Sequence, residues 1–227
     1  MTTMKRRQWL GKTAGALGFA TLAPQTQANS GAPRVVTVES ALRPVGFGLP
    51  QRAAFAVNGM AHEAQIDAAH NAPTLTAQGV PVRRLGAKPA NVHATDFLNM
   101  PIAVAYNPVS QTLWVACADA KLHRFDVHGQ WLASSGNASD QPGHCMGVGG
   151  LAVDASGQVW VADPVLGLVH VFAANGDFTS RHTLRHGLTG YWQPRGLRVA
   201  AHQVQVWVTP DHSRGFAVCR ECQTTIA

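Results

Sequence analysis

No stretch of this chain is long enough and apolar enough to cross a bilayer. The one apolar run, Gly11 to Ala23, falls short of the roughly 20 residues a spanning helix needs and is broken by glycines. Also missing are three motifs that mark whole enzyme classes: the G-x-S-x-G nucleophile elbow, the glycine-rich phosphate loop and the H-E-x-x-H metal pair. Charged residues make up only 13% of the chain against 46% hydrophobic, which excludes a disordered or coiled-coil protein and leaves ample apolar matter for a core. Cysteine is scarce, at four: Cys117, Cys145, Cys219 and Cys222. Cys219 and Cys222 have redox-motif spacing, but Gln223 follows where a c-type haem attachment needs His. Nothing nearby reads as a helix N-terminus that would lower a thiol pKa. In an oxidising compartment Cys219 and Cys222 form the candidate disulfide, and four cysteines allow three pairings.

The chain opens MTTMKRRQWLGKTAGALGFATLAPQTQANS. Paired Arg6 and Arg7, apolar Trp9 and Leu10 just after them, and a weakly hydrophobic stretch behind are the outline of a twin-arginine export signal. Thr26 and Ala28, small residues at the two positions a signal peptidase reads, place cleavage after Ala28, so residues 1–28 are expected to be a leader and the mature protein periplasmic. The leader holds four of the 18 basic residues and none of the 12 acids, so a net charge of +6 falls to +2 without it. Nucleic-acid binding needs a clustered basic surface, and the mature chain gives no such expectation. Export of folded cargo leaves room for a cofactor, and a divalent metal is the candidate.

What the chain does have is a repeat. Residues 149–178, GGLAVDASGQVWVADPVLGLVHVFAANGDF, alternate β-branched and aromatic residues between turns at Ala155–Gly157, Asp163–Gly167 and Asn175–Gly176. That is an antiparallel meander, and one such sheet has two open edges and needs neighbours. Residues 101–131 and 194–222 carry the same pattern. Trp114, Trp160 and Trp207 fall at one point of the repeat, 46 and then 47 residues apart, and Gly129 and Gly176 keep the step of 47. A worn copy precedes them, through Phe55–Val57, Gln65–Asp67, Thr74–Thr76 and the Gln78-Gly79 turn. A period in the forties with four strands per unit is the mark of a β-propeller blade.

The run G-L-A-V-D-x-x-G-x-V-W-V-A-D-P, ending in V-x-V-F-x-x-x-G-x-F, resembles the NHL repeat. The likeness covers roughly residues 50–222 and is best at 149–178. It implies a propeller, and it implies little chemistry. Such propellers serve as protein- or RNA-binding platforms, and related ones as lyases and lactonases.

The expected architecture is all-β: a propeller of about four blades, each a four-stranded antiparallel sheet, spanning residues 29–227. The blades are placed near 44–90, 95–140, 143–189 and 190–227. The last copy stops after its third strand, Phe216–Cys219, and Arg34–Val38 supplies a spare strand to complete it by pairing beside those residues. Either the ring closes at four or five blades, or it is a partial ring that would dimerise or reflect a shortened gene product.

Loops joining second to third strands and loops leading into each new blade gather on one rim. They carry His93, Asp96, His144, Asp163, Arg195, Asp211 and His212, the candidate ligand- or partner-binding residues. Asp163, Asp211, His212 and His144 are the metal candidates. Aspartates in such loops, Asp67 and Asp119 among them, also cap turns through local backbone N–H groups. His144-Cys145-Met146 lines up imidazole, thiol and thioether, although adjacent residues cannot easily all reach one ion. His123 and His170 share a repeat position, which suggests hydrogen bonding from blade to blade. No acid/base pair stands out. The residues therefore point to an exported platform that docks a protein or small ligand. The rival reading is a metal-assisted lyase or lactone hydrolase with its cation in the propeller funnel.

Overall fold

The structure is a computed structural model that describes residues 34–39, 48–67, 69–86, 98–186, 190–200, 203–210 and 224–226. Those residues form sixteen strands and no helix, so no helix among them is long and apolar enough to cross a membrane. The leader, residues 1–28, lies outside the described residues.

After β1 (Arg34–Glu39), the first meander comprises β2 (Arg52–Val57), β3 (Met60–Asp67), β4 (Ala72–Ala77) and β5 (Val80–Arg84). Asn58-Gly59 and Gln78-Gly79 close two of its hairpins with positive φ at both residues, the two-residue turn whose twist matches paired strands. The second sheet comprises β6 (Pro101–Asn107), β7 (Thr112–Cys117), β8 (Leu122–Asp126) and β9 (Trp131–Ser135). The third comprises β10 (Gly150–Val153), β11 (Val159–Asp163), β12 (Leu168–Phe172) and β13 (Phe178–His186). β14 (Gly190–Ala200) and β15 (Gln203–Pro210) begin the fourth, joined to the third by a short pairing of Arg185 with Tyr191 and His186 with Gly190. β16 (Thr224–Ile226) adds to β13, with Ile226 opposite His182; the sequence had given no strand there.

The packing between sheets makes this a propeller. Along β7, Leu113, Val115 and Cys117 pack into one core with Ala53, Phe55, Ala64 and Leu75 of the first sheet. The intervening Trp114 and Ala116 face the other way, into a second core with Leu151, Val159, Val161 and Phe172 of the third sheet. β11 does the same: Val159 and Val161 look back toward the second sheet, whereas Trp160 and Ala162 join Leu197, Val204, Val206 and Val208 of the fourth. A strand buried on both faces reads as an unbroken apolar run, and Thr112–Cys117 and Val159–Asp163 are buried at every position. The second and third sheets are thus blades packed between neighbours on both faces. The three tryptophans stand at matching places, each on the second strand of its sheet.

The blades approach closely. A Cβ on Gly150 would lie 2.7 Å from the backbone nitrogen of Leu197 in the next blade. Direct hydrogen bonds also tie blades together. Nδ2 of Asn107 donates to the carbonyl of Gly157 at 2.7 Å, and Nε2 of Gln51 to that of Ile102 at 2.7 Å.

The N-terminal strand joins the last sheet, as expected. β1 pairs with β15, parallel, placing Val38 opposite Trp207. Phe216–Cys219, the expected partner, lies outside the described residues. The free side of β15 is the available edge. A strand so remote in sequence is tied by no hairpin that would force it antiparallel.

Candidate functional site

Asp163 ends β11, and its carboxylate is fixed by the turn that follows. Oδ1 accepts the N–H groups of Val165 and Leu166 at 2.9 and 3.0 Å. Oδ2 accepts the N–H of Met146 at 2.6 Å, from the loop that leads into β10. Because side chains alternate along a strand, Asp163 shares a face with Val161, and Val161 pairs with His170 on β12. Nε2 of His170 thereby comes within 3.7 Å of Oδ2 of Asp163, a contact longer than a hydrogen bond. Cys145 enters from the loop between β9 and β10, whose backbone bridges Ala138 to Cys145. Sγ of Cys145, a carboxylate oxygen of Asp163 and a ring nitrogen of His170 all lie within 4.8 Å of one another. All three residues are 0% exposed, between the second and third blades.

The electrostatics of the cluster follow from that burial. Desolvation works to raise the Asp163 carboxyl, but His170 and the N–H groups of Leu166, Met146 and Val165 outweigh it and hold it below its ordinary value. Burial, aided by the negative charge of Asp163, pushes the Cys145 thiol up to about 12. Neither ring nitrogen of His170 has a hydrogen-bond partner among the described residues, though a buried imidazole ordinarily satisfies both. The arrangement presents sulfur, nitrogen and oxygen donors to one buried point, a set that suits a borderline-soft metal ion.

Of the expected site residues that are described, Asp163 alone belongs to this cluster. His144 is half-buried with Nδ1 2.6 Å from the hydroxyl of Ser139, and its neighbour Cys145 is the residue that turns inward. Arg195 is exposed and donates to Oε1 of Gln193. His93, Asp96, Asp211, His212, Cys219 and Cys222 lie outside the described residues. The turn-capping role fits three aspartates. Asp67 accepts the N–H of Ala69 at 3.0 Å, Asp119 that of Lys121 at 3.3 Å, and Asp163 caps its turn as above. Asp119 is not the repeat counterpart of Asp163, however; Cys117 is, since each closes the second strand of its blade.

Sequence reasoning missed His170 as a partner of Cys145 and Asp163. It grouped His170 with His123 as a blade-to-blade bond, yet His123 meets the hydroxyl of Ser134 at 2.9 Å within its own sheet. The signal was available in the repeat. The positions equivalent to Cys145, Asp163 and His170 in the preceding blade are Asn99, Cys117 and His123, so only the later copy gathers three unlike metal-binding groups.

Outside the cluster, the same loops present an apolar rim. Met100 and Met146 stand at equivalent places, 62% and 42% exposed, and Val165 is 64% exposed. A Cβ on Gly147 would meet Val165 at 3.0 Å, and one on Gly149 would meet the carbonyl of Pro194 at 2.8 Å and Cα of Arg195 at 3.3 Å. The loop at 146–149, the turn that opens at Asp163 and the irregular stretch of β14 at 194–195 therefore lie against one another, and two glycines allow that approach.

No family model matches the chain, and no curated protein matches it. Among solved structures, it is similar to the dihydro-heme d1 dehydrogenase NirN in complex with DHE, at 13% identity, 78% of this chain, 37% of that chain and a TM-score of 0.48. It is also similar to BBS1N in complex with ARL6DN, at 12% identity, covering 65% of this chain and 39% of that one, with a TM-score of 0.43. The RRP9 WD40 repeats match at 16% identity, over 40% of this chain and 31% of that one, with a TM-score of 0.31. The chain spans less than two-fifths of the length of each.

Proposed function

We propose that this protein is an exported, periplasmic propeller of the NHL type that acts as a docking platform, binding a protein or ligand at the rim formed by the loop 146–149, the turn 163–165 and the adjoining stretch of β14 at 194–195. The exposed pair Met100 and Met146, at matching places on successive blades with Val165 beside the second, carries this reading. Methionine is flexible and polarisable, so an exposed methionine beside an aliphatic side chain can repack against a partner's surface. Exposed Arg195, whose Cα lies against Gly149 of the 146–149 loop, offers a fork-shaped donor for a carboxylate at the edge of the rim. The twin arginines of the leader support export.

The test is a photoreactive side chain at Val165 in cells producing the full chain, with the same group at Val82 on the exposed outer strand β5 as control. A discrete adduct at Val165, absent at Val82 and lost on adding Met146→Asp, is the expected result. No adduct at Val165, or the same adducts from both positions, would remove the platform reading.

A further inference from the structure

We propose that Cys145, Asp163 and His170 form a binding site for a zinc-class divalent ion, held between the second and third blades. Geometry brings the three donors together from a loop, the end of one strand and the middle of the next, within 4.8 Å of one another. A second observation points the same way. His170 is fully buried with both ring nitrogens unpartnered among the described residues, and Nε2 faces Oδ2 of Asp163 at 3.7 Å. Two donors bound to one tetrahedral zinc at about 2.0–2.2 Å stand roughly 3.4–3.6 Å apart, so this pair needs only a small inward shift.

Charge also favours a dication. A thiolate, a carboxylate and a neutral imidazole around one divalent ion sum to zero, the arrangement that a dry interior tolerates best. The donor set discriminates among ions: sulfur and imidazole disfavour magnesium and calcium, which take oxygen ligands. The surroundings orient the carboxylate as outer-shell partners do in metal centres. Val165 and Leu166 occupy Oδ1, and Met146 takes one lone pair of Oδ2, leaving the other facing His170. Binding would release the Cys145 proton, because the ligand is the thiolate. Closed from solvent and joining two blades, the ion would brace their interface, a role separate from docking at the rim.

The experiment uses the full mature chain carrying Cys219→Ser and Cys222→Ser, so that those thiols cannot compete. After chelation, Co²⁺ is added as a zinc reporter and followed by absorption, with Zn²⁺ used in parallel for stoichiometry. One equivalent should bind, with a near-ultraviolet sulfur-to-cobalt charge-transfer band. Cys145→Ser should abolish the band, and His170→Gln should weaken affinity at least tenfold while circular dichroism stays unchanged. X-ray absorption of the zinc-loaded protein with Cys145 intact guards against a variant that fails to fold. It should show one sulfur at about 2.3 Å with nitrogen or oxygen at about 2.0–2.2 Å. A first shell without sulfur, no stoichiometric uptake, or a band that survives Cys145→Ser would overturn the assignment.

Discussion

Nε1 of Trp160 donates to Oδ2 of Asp154 at 2.7 Å, and both residues are buried. Oδ1 of that carboxylate accepts the N–H and hydroxyl of Ser156 at 2.8 and 2.6 Å and the N–H of Gln158 at 3.0 Å. One side chain thus fastens the turn between β10 and β11 and anchors the indole that fills the core between the third and fourth blades. The preceding blade solves the same corner differently. Asn107 spends Oδ1 on the N–H groups of Val109 and Ser110 and Nδ2 on the next blade, while Nε1 of Trp114 has no hydrogen-bond partner among the described residues.

Asp154→Ala should therefore cost more than Asn107→Ala. The first change removes four hydrogen bonds to an acid and orphans a buried indole N–H. It should destabilise by about 2–4 kcal/mol, against about 1–2 kcal/mol for the second. Urea unfolding followed by tryptophan fluorescence checks this as a fall in midpoint at constant slope. Equal losses would mean that the indole bond contributes nothing beyond the turn.

Much of this fold was legible in the sequence because a propeller writes its packing into spacing. Trp114 and Trp160 mark second strands buried on both faces, half-buried Trp207 marks the second strand of the fourth sheet, and turn glycines such as Gly129 and Gly176, at φ of 80° and 96°, mark hairpins that need a left-handed residue. Strand direction without a hairpin is not written locally, so the parallel pairing of β1 with β15 could not be read from Arg34–Val38. The buried cluster escaped for a related reason. Cys145 lies in a loop whose path depends on Asp163 capturing the N–H of Met146, a contact 17 residues away in sequence. Adjacent His144, Cys145 and Met146 looked like a set, but the backbone sends Cys145 inward and leaves Met146 at the surface.

His182 gives the protein a pH-dependent stability. Its ring stacks on Trp160, with centroids 5.5 Å apart and planes 16° from parallel, and burial holds its pKa below the ordinary 6.5. The unfolded chain consequently binds a proton at a higher pH than the folded one. The stability from neutral His182 is fully present above about pH 6.5 and is lost as pH falls toward the folded value. The thermal midpoint should be lower at pH 5.5 than at pH 7.5, and His182→Phe should lose less over the same interval. The low carboxyl of Asp163 adds its own loss only further down, as pH falls below the unfolded carboxylate value of about 3.9. If wild type and His182→Phe fall in parallel between pH 7.5 and 5.5, another group carries the dependence.

Two thiols should prove inert while the blades stay packed. Burial is the main reason that Cys117 and Cys145 are both raised to about 12, Cys117 between the first and second blades and Cys145 between the second and third. At pH 8 the thiolate fraction of each would be only about one in ten thousand, and the thiolate is the species that alkylates. Iodoacetamide at pH 8 should leave both unmodified in the folded protein and label both in guanidinium, as peptide mass mapping would show. Raising the pH alone should not expose them, since burial blocks the reagent as well as the charge. Labelling of Cys145 but not Cys117 under native conditions would show that the loop ahead of β10 opens independently of the sheets, because local opening exposes only the segment that moves.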